Sequence, residues 1–363
     1  MKCGIFGLPN VGKSTLFNCL SSAKAQSANF PFCTIEPNIG TVQVPDERLN
    51  RLEELVRPQR VVPAVVEIVD IAGLVKGAHK GEGLGNQFLS NIRETQAIIH
   101  VLRCFEDDNI IHVEGHIDPI RDKEVIDTEL QLKDLETVEK SLEKFKKQAK
   151  SGSKEDLRIV QLMQKIAQAL SMGKNTRTLT LADDEIEIFS ALQLLTAKPV
   201  LYLCNVDEVS VKTGNPHVAA VKKNVANEQA KVLILAVQTE ADIAELETYE
   251  ERKLFLDDLG LEEPGVHRLI RATYALLNLQ TYFTAGVKEV RAWTIQKGWT
   301  APKVASVIHT DFQKGFIRAE VIHYEDFIKY GSEHKVKKAG KMSVEGKDYI
   351  VQDGDIIHFR FNI

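Results

Sequence analysis

The chain has 363 residues, 44% hydrophobic and 27% charged, with a formal net charge of −5. That is ordinary globular composition, long enough for two or three domains of roughly 100–200 residues. It excludes a uniformly basic nucleic-acid coat while leaving room for a local basic patch, and no apolar run approaches the roughly 18 residues of a membrane span.

The five cysteines (Cys3, Cys19, Cys33, Cys104, Cys204) form no CxxC pair. An odd count without zinc or disulfide spacing reads as reduced thiols. Met1-Lys2-Cys3-Gly4 runs straight into a motif and leaves no room for a signal peptide. The expectation is a soluble, cytoplasmic protein with no membrane partner.

In chain order, Cys3–Gly7 reads as a buried strand and Ser14–Ser21 as a helix. Ala64–Asp70 and Ala97–Cys104 are further strands. Strands alternating with helices imply a mostly parallel sheet covered on both faces, an α/β class. From Glu129 to Lys150, Leu135, Val138, Leu142 and Phe145 fall at 3-4-3 spacing, a coiled-coil-like seam. Ser151-Gly152-Ser153 breaks it, and Leu162, Ile166 and Leu170 resume a helical period. Two such helices make an antiparallel hairpin. Lys144, Lys146, Lys147, Lys150 and Lys154 crowd its tip, which reads equally as a solvated helix end or a nucleic-acid contact. Strand character returns at Lys198–Asn205 and Val232–Val237, so the hairpin is an insertion, and Val266–Leu279 reads as a helix. Beyond Thr281, short runs at Glu289–Ile295, Phe316–Val321 and Ile356–Phe361 surround one helical candidate. This predicts a small, separate α+β domain. The predicted division is 1–120 with 197–280, 121–196, and 281–363.

Gly7-Leu8-Pro9-Asn10-Val11-Gly12-Lys13-Ser14 matches GxxxxGK[ST] between a strand and a helix. Asn10, Val11, Gly12, Lys13, Ser14 and Thr15 then cradle phosphates. Backbone N–H groups point at the anion, Lys13 supplies charge to the β- and γ-phosphates, and the Ser14 hydroxyl binds Mg²⁺. Asp70 ends a strand and opens Asp70-Ile71-Ala72-Gly73, a DxxG. There the Asp reaches Mg²⁺ and the Gly73 N–H senses the γ-phosphate. Between them Thr34, in Asn29-Phe30-Pro31-Phe32-Cys33-Thr34-Ile35, is the candidate that completes the Mg²⁺ shell.

These motifs, with the glycine-rich Leu74–Gly85, Asn91-Ile92-Arg93-Glu94, Gln280–Gly286 and His309-Thr310-Asp311-Phe312, closely resemble the Obg-like ATPases of the Obg-related GTPase-fold family. The resemblance covers essentially the whole chain. It implies a P-loop GTPase-type domain, an inserted helical coiled-coil hairpin and a C-terminal TGS domain of β-grasp fold. It also implies preference for ATP over GTP, and the ribosome (the large subunit) with its RNA as partner, bound by a monomer.

The usual guanine reader NKxD is here Asn205-Val206-Asp207-Glu208. Glu208 is one methylene longer than the guanine-reading Asp, and Val206 replaces the Lys whose stem packs over the base. A carboxylate displaced by about 1 Å loses much of its directional bonding. Guanine selection is weakened, with GTP still able to bind. Backbone groups near Val206 are candidates to pair with adenine. Gln238-Thr239-Glu240-Ala241 does not match the usual base-reinforcing loop. The water-orienting Gln after DxxG is replaced by Leu74. His79, His100 and His112 are the histidine candidates: His100 sits inside a strand, so His112, in a loop on the ligand side, ranks first as catalytic group beside Lys13.

Three readings follow: an ATPase switch on the ribosome, a GTP-specific translation or assembly factor, or an RNA-binding module with a structural nucleotide site. Residues Thr281–Ile363 carry 13 Lys and Arg against 10 Asp and Glu, a net of +3 that leaves the rest of the chain at −8. That asymmetry fits an RNA-facing end, and fits a plain solvated surface equally.

Overall fold

The computed structural model describes residues 1–25, 39–71, 84–110, 115–148, 154–228 and 230–362. Among these, the strands are β1 Lys2–Phe6, β2 Ile39–Gln43, β3 Val61–Val62, β4 Val65–Asp70, β5 Ala97–Arg103, β6 Val200–Asn205, β7 Lys231–Leu235, β8 Leu279–Ala285, β9 Val290–Gln296, β10 Phe316–Ile322, β11 Ser343–Glu345 and β12 Ile356–Phe361. They build two sheets, of order β2-β4-β1-β5-β6-β7 and β11-β10-β12-β8-β9-β3. No helix among the described residues is long and apolar enough to cross a membrane.

In the first sheet β1 pairs in parallel with β4 and β5, β5 with β6, and β6 with β7. All seven residues of β5 and all six of β6 are buried. That is why both read as near-continuous apolar runs rather than alternating ones. β1 lies between β4 and β5, so the loop after it opens at a topological switch point, where such sheets bind ligands.

Between β5 and β6 the chain makes the helices Pro119–Gln148 and Lys154–Ser171. The first starts ten residues before the predicted Glu129. Asp118 accepts from the N–H groups of Ile120 and Arg121 at 3.1 Å each, and Pro119 takes the first helical position. The first turns bury Asp122, Lys123, Asp127 and Glu129. An apolar period is invisible where the buried face is polar. Further along, Val138, Leu162, Ile166 and Leu170 pack with Leu135, Leu142 and Phe145 as the seam predicts. Leu194, Ile188 and Phe189 cover that seam from a third side, so the two helices do not stand alone.

Lys123 and Asp127 join a buried cluster with Arg177, Glu228 and Tyr202. Lys123 reaches Asp127 at 2.8 Å and Glu228 at 2.7 Å, while Arg177 reaches Glu228 at 3.1 Å and the Tyr202 hydroxyl donates to Glu228 at 2.7 Å. Beside it His100 on β5 packs its ring 4.7 Å from Phe6 and 5.6 Å from Tyr202. Its Nε2 is buried without a hydrogen-bond partner among the described residues. Burial first, then the charges of Lys123 and Arg177, push its pKa well below the ordinary histidine value. His100 is thus a packed neutral histidine, as its place inside a strand suggested.

A base whose folded pKa is depressed stabilises the fold above its unfolded pKa, and that stability is lost as pH falls. Between pH 7.5 and 5.5, with an unfolded pKa of about 6.5, wild type is expected to lose about 1.4 kcal/mol that His100→Phe does not lose. Urea unfolding of both proteins at the two pH values measures the difference.

Contacts divide the described chain into two compact units, Met1–Gly40 with Glu67–Leu269, and Thr41–Val66 with Ile270–Ile363. This differs from the chain-order division, which assigns 41–66 to the nucleotide domain. In the second unit β3 runs parallel to β9 through Val61↔Val290 and Val62↔Arg291. The helix Glu47–Val56 buries Leu49 and Leu52. Its Arg48 binds Asp46 at 2.7 Å and Asp353 at 2.8 Å and lies over the Phe283 ring at 5.4 Å. A two-residue strand paired across more than two hundred residues has no periodic signature, so this assignment could not be read from spacing.

The second sheet begins with the β8–β9 antiparallel hairpin, continues through short helices, and ends with β10 and β12 antiparallel and β12 parallel to β8 at the centre. That is the β-grasp arrangement. Four short helices (Ala301–Ala305, Thr310–Lys314, Tyr324–Tyr330, Glu333–Lys338) replace the single predicted one. Five to seven residues are too few to display a helical period. The predicted helix Val266–Leu279 ends at Leu276, because Leu279 already opens β8.

Candidate nucleotide-binding site

The loop after β1 is built by close approach. A Cβ on Gly7 would lie 2.5 Å from the Val101 carbonyl oxygen on β5, so only glycine passes there. Asn10 and Gly12 have φ of +60° and +95°, which turns the chain into the helix Lys13–Ala25. The Leu16 N–H bonds the Gly12 carbonyl at 3.0 Å, closing the first turn. N–H groups at this helix start have no intrahelical acceptor and carry the positive end of the dipole, an anion site. Ser14 is exposed and Thr15 half-buried at that end.

Lys13 folds across the loop and donates to the carbonyls of Gly7 and Leu8 at 2.9 Å each. Burial pulls its pKa down, opposed by the charge of Asp70. Asp70 is the last residue of β4 and lies opposite Ile5 in the register with β1. Burial raises its pKa, opposed by Lys13. Its Oδ1 is buried without a partner among the described residues. An orphaned carboxylate oxygen next to a phosphate-type loop is the donor a hard cation takes. Among the described residues no cluster of three or more carboxylate, His or Cys side chains cages a metal. Mg²⁺ fits this sparse set, because it keeps several waters and takes one or two protein ligands plus phosphate oxygens. Asp70 at the end of β4 and the Ser14 hydroxyl at the helix start are oxygen donors of that kind.

Asn205, at the end of β6, ties three segments together. Its side chain donates to the Val11 carbonyl at 3.0 Å and accepts from the Val237 N–H at 3.0 Å. A Cβ on Gly12 would come within 2.5 Å of its Nδ2. Val206 is 3% exposed, and its N–H bonds the Leu235 carbonyl at 2.9 Å. That donor is therefore committed to the fold, and any adenine contact by the backbone here falls to its neighbours. Glu208 is exposed, in a turn where Asp207 accepts from the Ser210 N–H at 2.8 Å.

The strand expected to reach Val237 stops at Leu235, and Val237 begins the helix Val237–Glu245 because Asn205 holds its N–H. On that helix Glu240, 3% exposed, accepts from the N–H groups of Gly265 and Val266 at 2.7 and 3.2 Å. It caps the helix Gly265–Leu276 rather than reading a base.

Two ordering residues escaped sequence reasoning. Arg103, 1% exposed, donates to the carbonyls of Phe105, Asp107 and Ile110 at 3.2, 3.1 and 2.9 Å and stiffens the loop that leads toward His112. A lone arginine inside the apolar run Ala97–Cys104 was the available signal. Asn215 caps the helix Pro216–Asn224 and donates to the Cys104 carbonyl at 2.6 Å; an Asn directly before a Pro was its signal. Thr34, Gly73 and His112, with Leu74 and His79, lie outside the described residues.

Comparison with known proteins agrees with this architecture. A family model described as "50S ribosome-binding GTPase" matches residues 2–148, and the YchF-GTPase C-terminal model, described as "Protein of unknown function (DUF933)", matches residues 279–362. The chain is 57% identical over 362 residues to the "Ribosome-binding ATPase YchF" of Haemophilus influenzae, covering 100% of this chain and 99% of that protein. It is 52% identical over 365 residues to the protein of the same name from Bacillus subtilis, covering 100% of each. The solved structure of the Schizosaccharomyces pombe YchF GTPase superposes with a TM-score of 0.89 at 40% identity, over 99% of this chain and 97% of that one. With identities of this size over its full length, and with the loop at Lys13, the carboxylate at Asp70 and the altered base motif at Asn205–Glu208, the chain belongs to the YchF family of P-loop nucleotide hydrolases.

Proposed function

We propose that this chain is a Mg²⁺-dependent ATPase that binds GTP more weakly and acts as a nucleotide-controlled switch on the ribosome, in the cytoplasm and as a monomer. The observation that carries the nucleotide chemistry is Asp70, an orphaned carboxylate oxygen coupled electrostatically to the loop lysine. The ribosome as partner rests on the names of the relatives and its large subunit on the description of the family model, with RNA contact as part of this reading. The chain is organised as a GTPase-type domain (1–120 and 197–280), of which 41–66 packs with the C-terminal unit, a helical hairpin (121–196) and a TGS domain (281–363).

Lys13 leaves its loop carbonyls and places its charge on the β- and γ-phosphates. The N–H groups around Asn10–Thr15 bind the remaining oxygens. Ser14, Asp70 and Thr34 would hold Mg²⁺, which when bound would supply positive charge to neutralise the phosphate oxygens. Gly73 senses the γ-phosphate through its N–H. His112 orients the attacking water, a task that Leu74 lacks the polar atoms to perform. Val206 and Asn205 frame the base pocket, and Glu208 supplies the altered edge that disfavours guanine. The GTP-specific reading keeps two observations, the GTPase description of the 40%-identical solved relative and that of the family model over residues 2–148.

Titration with fluorescent ATP and GTP analogues in Mg²⁺ tests base choice. ATP is expected to bind tighter, by the 1–3 kcal/mol that one good bidentate contact is worth. Tighter GTP binding would transfer the assignment to the GTP-specific reading. In the same preparation, His112→Ala is expected to slow single-turnover hydrolysis on the order of a hundredfold; an unchanged rate removes His112 from the mechanism.

A further inference from the structure

We infer that the lysine-rich face formed by the helix Glu333–Lys338 and the edge strand after it is a contact surface for an RNA phosphate backbone, an inference that rests on the ribosome-associated reading above. The positive excess of the C-terminal segment is concentrated there. Residues 329–347 hold six lysines (Lys329, Lys335, Lys337, Lys338, Lys341, Lys347) against Glu333 and Glu345, a net of +4. The rest of 281–363 holds seven basic residues against eight acidic ones.

Elsewhere in this unit several arginines are ion-paired. Arg318 and Arg360 both pair with Glu320, Arg48 with Asp46 and Asp353, and Arg60 with Glu289. Lys335, Lys337, Lys338, Lys341 and Lys347 are all exposed, and none forms an ion pair with a described residue. The scaffold under them is fixed. Ser332 caps the helix, Val336 is fully buried, and Gly340 at φ +68° turns the chain so that the Lys341 N–H bonds the Val336 carbonyl at 3.1 Å. β11 follows at the sheet edge, paired among the described residues with β10.

Lysines in a last helical turn also favour the dipole, which accounts for Lys335, Lys337 and Lys338. It does not account for Lys341 and Lys347, which lie beyond the helix. Protein interfaces are depleted in lysine, whereas clustered point charges without arginine forks suit sequence-independent phosphate contact. RNA is therefore the partner this face fits.

The test is co-sedimentation of the full chain with whole ribosomes and, separately, binding to ribosomal RNA stripped of protein, across a salt series. The variant carries Lys337→Glu, Lys338→Glu and Lys341→Glu. It is expected to keep ATP binding, to lose at least tenfold in affinity for both ribosomes and stripped RNA, and to lower the slope of log affinity against log salt by about 2 to 3. Should the reversals misfold, Lys→Gln at the same three positions is expected to give a smaller change of the same sign. If wild type binds ribosomes and the variant keeps the same affinity and slope, this surface is wrong while the ribosome reading stands. If the variant loses ribosomes but not stripped RNA, the face binds protein and the RNA inference falls. If wild type binds ribosomes at no salt concentration, the parent reading fails and carries this one with it.

Discussion

Lys13→Ala is expected to lower nucleotide hydrolysis by 10²- to 10³-fold, the size found when one preorganised donor to developing charge is removed. The side chain donates to the Gly7 and Leu8 carbonyls, neutral partners it can exchange for phosphate oxygens. Its pKa is already lowered by burial, so the ammonium is poorly solvated and gains from an anion. Without nucleotide the variant should not be less stable, because a desolvated charge is removed and only two bonds to half-open carbonyls are lost. Lys13→Arg should not restore activity, since a planar guanidinium does not replace a compact ammonium between two phosphates. The readouts are the single-turnover rate and the thermal unfolding of the nucleotide-free protein. A loss below tenfold with an unchanged fold would sink the phosphate role.

Asn205→Ala is expected to destabilise the site by about 3 kcal/mol and weaken nucleotide binding roughly a hundredfold. The substitution strands two groups at once, the Val11 carbonyl and the Val237 N–H. A buried polar group left unpaired costs about 1–3 kcal/mol, more than the net value of the bond it made. Nucleotide affinity suffers because Val11 belongs to the phosphate loop and Gly12 lies against the same side chain. Asn205→Asp separates the two bonds: a carboxylate still accepts from Val237 but repels the Val11 carbonyl, so it should be no better than alanine. Calorimetric titration with ATP, set beside urea unfolding, measures both effects. Full affinity in Asn205→Ala would mean that the loop keeps its shape without this tie.

The phosphate site was legible because its chemistry is local. Gly7 through Ser14 is one turn, and the glycines it needs follow from a 2.5 Å approach to β5 at Gly7 and a left-handed φ at Gly12. Asp70 was legible for the same reason, as the last residue of an apolar strand. The parallel sheet was legible because β5 and β6 are buried on both faces and so are written in unbroken apolar residues. The inserted hairpin showed itself wherever its seam is apolar, at Val138, Leu162 and Ile166, and hid where it buries Asp122, Lys123 and Asp127.

By itself, then, the amino-acid sequence determined the phosphate loop, the carboxylate at the end of β4, the alternation that makes the first sheet, and the departure from a guanine reader at Val206 and Glu208. These rest on neighbours within a few residues, and local spacing records them. The tertiary structure alone decided that residues 41–66 pack with the C-terminal unit through β3, Leu49 and Arg48, that Asn205 spends its side chain on the phosphate loop and Val237, and that Glu240 caps a helix. Each of these depends on groups 25 to 305 positions apart. A single buried hydrogen bond at such separation leaves no periodic trace in the chain, and only the folded packing brings its partners together.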